Sequence, residues 1–132
     1  MRGLDHLALT VADVERSLEF YQRVLGAEVL HEDLWRAGRL PVAILQVGQS
    51  RLTLHPAARP AEPHARVPTP GSADLCFRFD RPIEEAQRRL AEQGVALALG
   101  PVPRPAADGR PGRSVYFRDP DGNLLELLST AD

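Results

Sequence analysis

The chain says the same thing twice. His6-Leu7-Ala8-Leu9-Thr10-Val11 reads as a strand, a helix pattern runs from Asp13 to Leu25, and Gly26 stops it. Asp74-Leu75-Cys76-Phe77-Arg78-Phe79 reads as a second strand, a helix pattern runs from Pro82 to Gln93, and Gly94 stops that. Twenty residues separate His6 from Gly26, and twenty separate Asp74 from Gly94. A half-length repeat of this kind restricts the fold to two similar units. It also gives His6 and Asp74, both able to bind metal, equivalent positions.

Within each half the periodicity switches as a βα unit requires. Residues 4–11 alternate apolar and polar, the pattern of a half-buried strand. Asp13 can cap a helix whose Val14, Leu18, Tyr21 and Leu25 form one apolar stripe. Further strands are expected at about 27–35, 41–47 and 51–56, the last two joined by the hairpin turn Gly48-Gln49-Ser50. Five prolines between Pro56 and Gly71 mark a linker. The second half then gives a strand at about 73–80, a helix at 82–93 and a strand at 95–99. A Pro/Gly/Arg loop is expected from Gly100 to Arg113, and strands at about 114–118 and 123–129 flank the turn Asp119-Pro120-Asp121-Gly122.

The expected fold is α+β: two βαβββ modules forming a curled, mostly antiparallel sheet with helices on its outer face. All 132 residues make one domain, with module 1 at about 1–56, a linker at 57–71 and module 2 at about 72–132. A net charge of −2 gives no reason to expect nucleic acid or an anionic membrane as partner. The single cysteine suits a reducing compartment, and no apolar run approaches a membrane span, so the cytoplasm is the expected location. All 16 basic residues are arginine, which excludes Schiff-base chemistry and a lysine base within this sequence.

Strand parity sorts the polar residues. Leu7, Leu9, Val11, Leu52, Leu54, Leu75, Phe77, Val115, Phe117, Leu125 and Leu127 face the helices. His6, Thr53, His55, Asp74, Cys76, Arg78, Tyr116 and Glu126 fall on the opposite faces. Two histidines and two carboxylates, His6, His55, Asp74 and Glu126, suit a divalent metal in mixed nitrogen and oxygen coordination. A solvated sheet face would also carry polar residues at alternate positions. Two features favour the metal: the repeat equivalence of His6 with Asp74, and Glu126 set among leucines, where a carboxylate needs a partner.

The block Asp5-His6-Leu7-Ala8-Leu9-Thr10-Val11, the run Ser17-Leu18-Glu19-Phe20-Tyr21 to Val24-Leu25-Gly26, and Phe117-Arg118-Asp119-Pro120-Asp121-Gly122-Asn123 before Leu125-Glu126-Leu127 resemble the vicinal oxygen chelate superfamily. That superfamily contains glyoxalase I, extradiol dioxygenases, and fosfomycin and bleomycin resistance proteins. Residues 68–77 and 114–117 resemble its lactoylglutathione-lyase-like subgroup. The resemblance implies one divalent metal per site (Zn, Ni, Fe or Mn), held by the first and last strands of each module. Carried over, His6 and Glu126 have the expected types. Thr53 stands where glyoxalase I has a carboxylate, with His55 two residues on, and Asp74 stands where histidine is usual. The implied function is a metal-dependent lyase or isomerase acting on a small substrate with vicinal oxygens through an enediolate. Glu126 would be its base, with Gln46, Thr53, Arg78 and Tyr116 as substrate contacts. The alternatives are an antibiotic-sequestering protein of the bleomycin-resistance type, which needs no complete ligand set, and an extradiol-dioxygenase-related enzyme. A homodimer is expected.

Overall fold

The structure is a computed structural model and describes residues 1–131. The chain divides after Ser72 into two compact units. In the first, strand β1 (Leu7–Val11) leads into helix α1 (Val14–Leu25), then β2 (Glu28–Leu30), a short helix α2 (Glu32–Arg36), β3 (Ala43–Val47) and β4 (Ser50–Pro56). In the second, β5 (Asp74–Arg78) leads into α3 (Ile83–Glu92), then β6 (Leu99–Pro105), β7 (Pro111–Arg118) and β8 (Leu124–Ser129). Each unit holds one four-stranded sheet, ordered β1-β4-β3-β2 in the first and β5-β8-β7-β6 in the second. The first and last strands of each unit pair in parallel, and the remaining pairs are antiparallel. The expected α+β fold of two βαβββ modules is therefore present as two separate mixed sheets.

The helix signals act as their chemistry predicts. The Asp13 carboxylate accepts the Arg16 backbone N–H at 3.2 Å, and Gly26 ends α1 in the left-handed conformation at φ 67°. Val14, Leu18, Tyr21 and Val24 are buried on α1, as are Ile83, Ala86 and Leu90 on α3. They pack with Leu9, Val11, Leu52 and Leu54 in the first unit, and with Val115, Phe117, Leu125 and Leu127 in the second, all buried. Leu25, Leu75 and Phe77 are only half-buried.

The Asp-Pro-Asp-Gly-Asn turn holds the start of β8 against the start of β5. Asp119, buried, accepts the Asn123 backbone N–H at 2.9 Å and the Asn123 amide at 2.8 Å. Asn123 Oδ1 accepts the Ala73 N–H at 2.9 Å. The side chains of Asp74 and Glu126 thus project from strands whose entry is fixed by buried hydrogen bonds.

Three local expectations are corrected, the first being the strand expected at 95–99: residues 95–98 lie outside any strand and β6 begins only at Leu99. The strand expected over 27–35 stops at Leu30, because His31 takes a left-handed φ of 52° and Glu32 opens helix α2. The loop expected from Gly100 to Arg113 is largely β6 and the start of β7. Pro101, Pro103 and Pro105 hid this strand, since proline cannot donate to a ladder. β6 is the sheet edge, where one side of the strand needs no donor.

Candidate functional site

The paired strands put the two units on a common register. Ala8 lies opposite Thr53 across β1 and β4, and Cys76 lies opposite Glu126 across β5 and β8. Because His6 and Asp74 are repeat equivalents, so are Ala8 and Cys76, and therefore Thr53 occupies the place in its unit that Glu126 holds in the other. His55, opposite Thr10, is the counterpart of Leu128, opposite Arg78.

In the first unit the donors are imidazoles. His6, half exposed, directs Nδ1 at Asp5 Oδ1, 2.7 Å away. A carboxylate only accepts, so Nδ1 carries a proton, and in the neutral tautomer this selects Nε2 holds the lone pair. The same bond from His6 holds the Asp5 carboxyl below its usual range. An imidazole oriented by a carboxylate on its far nitrogen is the arrangement that metal-ligating histidines use. Burial pushes His55 down, and the neighbouring His6 and His64 push it the same way, so the ring favours its neutral form. Thr53 is buried, and its hydroxyl has no hydrogen-bond partner. Gln46 is engaged locally: its amide donates to the Gly48 carbonyl at 2.9 Å and accepts from Arg51 Nε at 3.4 Å.

In the second unit the donors are carboxylates with protic neighbours. Glu126 is half-buried on β8, with Cys76 directly opposite on β5 and Tyr116 directly opposite on β7. Partial burial pushes the Cys76 thiol up to about 12, with the Glu126 charge and a hydrogen bond to Glu126 adding to it. Although Cys76 is exposed by area, its sulfur faces that carboxylate and stays protonated. It is therefore a thiol donor rather than a nucleophile. Burial raises Tyr116, Arg104 opposes the shift, and Glu126 adds to it. Asp74 is exposed at the start of β5.

Arg78 sits further along β5 at an open cleft of about 490 Å³ lined also by Phe79, Asp80, Arg110, Thr130 and Ala131. Its guanidinium donates to Asp108 at 3.2 Å and to the Thr130 hydroxyl at 3.1 Å. Arg110 and then Arg78 hold Asp108 well below the usual carboxylate range. Two residues with contacts to this chemistry had no assigned role in the sequence reading. Asp5 was legible as a carboxylate beside a candidate histidine, whereas Arg104 lay in what read as a loop.

Taken residue by residue, the donor types suit a divalent metal: an imidazole held through Nδ1, a second imidazole biased neutral, and a carboxylate on a pinned strand. Among the described residues no group of three His, Cys, Asp or Glu side chains is arranged to hold a metal ion. Nor is any described helix long and apolar enough to cross a membrane.

Two βαβββ units with polar groups gathered on first and last strands define a class of small two-module α+β proteins. The family model for the glyoxalase/bleomycin resistance protein/dioxygenase superfamily matches residues 3–127, and the chain belongs to that superfamily. It is 42% identical over 132 residues to a glyoxalase domain-containing protein of Mycosarcoma maydis, covering 100% of this chain and 70% of that one. It is 40% identical over 124 residues to a virulence protein of Salmonella typhimurium, covering 94% and 81%. The crystal structure of that virulence protein superposes with a TM-score of 0.87 at 37% identity, covering 98% and 97%. A metallothiol transferase of Staphylococcus epidermidis is 28% identical over 126 residues, covering 95% and 80%.

Proposed function

We propose that this chain is a glyoxalase-like lyase or isomerase in which His6 and Glu126, with His55 and Asp74, hold one divalent metal. The observation that carries this reading is the His6 imidazole, whose Nδ1 is committed to Asp5 at 2.7 Å and whose Nε2 is left as a ligand. The metallothiol transferase among the relatives refers to a metal in its name, which supports the cofactor. When bound, the metal would act as a Lewis acid toward a substrate with two neighbouring oxygens.

The chain's own residues would do the rest. Glu126 is a carboxylate at the centre of its strand, able to take a proton from a carbon beside a carbonyl. Tyr116 and Cys76 flank it with one O–H and one S–H, which return hydrogen bonds to the carboxylate and keep it oriented. Tyr116 is the substrate contact nearest this base. Arg78 would meet only the far end of a substrate, because Asp108 and Thr130 already engage it. Gln46 and Thr53 would serve as polar substrate contacts from the first unit, and Thr53 has an uncommitted hydroxyl to offer.

The test is metal analysis after reconstitution with Ni, Zn, Mn or Fe, followed by turnover of the adduct of methylglyoxal with a thiol. We expect one ion per chain and measurable turnover. Protein that takes up none of the four metals contradicts the reading. A homodimer belongs to it: light scattering should give twice the chain mass, and a metal-binding monomer would refute that part.

A second reading is favoured by one observation, that Thr53 holds the register position of Glu126 and replaces a carboxylate with a neutral hydroxyl. In that reading the protein sequesters a small antibiotic without catalysis. Thermal stabilisation by an aromatic drug in the presence of a chelator would support it, and stabilisation by divalent metal alone would support the enzyme.

A further inference from the structure

Arg104 lies on the edge strand of the second unit, on a segment whose three prolines concealed a strand. Leu99 pairs with Tyr116, but Val102, not Pro101, pairs with Ser114, so the ladder carries a bulge between them. One extra residue reverses the parity of everything that follows. Without the bulge Pro101 and Pro103 would share the face of Tyr116. With it, Val102 and Arg104 do. Gly100 makes the bulge feasible: at φ +107° its Cα approaches β7 so closely that a Cβ would lie 2.4 Å from the Ser114 carbonyl oxygen.

The consequence is a contact between Arg104 and the residue facing Glu126. Arg104 Nε donates to the Tyr116 hydroxyl at 2.9 Å, and the guanidinium carbon lies 5.6 Å from the centre of the Tyr116 ring. Arg104 Nη1 donates to the Pro103 carbonyl at 3.0 Å, which anchors the guanidinium to its own strand. A phenol has one proton and two lone pairs. Once a lone pair has accepted from Arg104, the proton remains to be given, and Glu126 is the cross-strand partner of Tyr116. A hydroxyl that accepts from a cation also becomes a better donor.

Building on the proposed metal site, we infer that Arg104 is a positioning residue, which acts through Tyr116 to orient the Glu126 carboxylate for metal binding. It touches neither metal nor substrate. Its effect passes through one hydroxyl, so removing that hydroxyl should abolish it.

The test is a double-mutant cycle on the dissociation constant for Mn(II) and Zn(II), measured by calorimetry on wild type, Arg104→Ala, Tyr116→Phe and the double variant. Outer-shell partners of a ligand are worth roughly 10- to 100-fold in metal affinity. Each single variant should weaken binding about tenfold, and the double variant no further than Tyr116→Phe alone, because the two act in series. Near-UV circular dichroism checks that every variant is folded, and Arg104→Gln replaces Arg104→Ala if that variant is not. Additive losses in the double variant, or unchanged binding in Arg104→Ala, would overturn the inference while leaving the metal site intact. Wild-type protein that binds neither metal overturns the site and this inference together.

Discussion

The two units are built alike and equipped differently. Both run β-α-β-β-β through the same strand order, and both pair first and last strands in parallel. Ala8 and Thr53 in the first unit hold the register positions of Cys76 and Glu126 in the second, and His6 stands just before β1 where Asp74 opens β5. The first therefore supplies imidazole nitrogen, with His55 pushed toward its neutral form. The second supplies carboxylate oxygen ringed by a thiol and a phenol. Backbone and core repeat because burying one helix face on one sheet has the same solution each time. The open faces share no such demand, and their chemistry has diverged.

The largest effect expected from breaking this comparison lies in the backbone. β6 has a bulge at Gly100 that β2, its counterpart edge strand, does not record. Gly100→Ala forces a Cβ onto the Ser114 carbonyl and strains a left-handed residue. It should cost at least about 2 kcal/mol in a chemical denaturation series. Gly48→Ala, also at positive φ but with open space around it, should cost less. Equal losses would mean that the bulge carries no special contact.

Next in size is thiol reactivity, which reads the carboxylate side. With Cys76 pushed up to about 12, little thiolate exists near pH 8. Alkylation of the folded protein should be at least about tenfold slower than that of the urea-unfolded chain, even though Cys76 is its exposed single cysteine. Glu126→Gln should speed the reaction by removing the neighbouring charge. An unchanged rate in that variant would separate Cys76 from Glu126.

Much of this comparison could be read before any coordinates. Alternation placed His6, Asp74 and Glu126 on faces away from the helices, and equal spacing to Gly26 and Gly94 matched the units. What escaped had physical reasons. The edge strand β6 is disguised by prolines that would be excluded from a central strand, so Arg104 read as loop. Residues 31–36 became a helix turn because of one left-handed histidine that local patterning does not announce. Arg78 and Gln46, which the family resemblance offers as substrate contacts, have partners on neighbouring loops and turns, which spacing along one strand cannot reveal.

Smaller effects sharpen the imidazole side. Thr53 has a buried hydroxyl without a partner. Thr53→Val removes that group at nearly constant shape and should leave stability unchanged or raise it by up to about 1 kcal/mol. A loss beyond that would show that the hydroxyl has a role in the folded chain. The smallest expected effect is in pH dependence. His55 is depressed below its ordinary value of 6.5, so the unfolded chain binds its proton more readily than the folded one. Its contribution is present in full above about 6.5 and is lost as pH falls through the folded value. Denaturation midpoints should therefore decline on acidification below neutrality, and less steeply in His55→Asn.

The proposal on which the rest depends is that His6 and Glu126 are both ligands of the divalent ion. Metal content per chain in wild type, His6→Ala and Glu126→Ala, measured after reconstitution with the same metal, tests it most directly. One ion per chain is expected in the wild type and near-complete loss in each variant, with both variants still folded. Full metal content in either variant would contradict it, since the replaced residue would then not be a ligand.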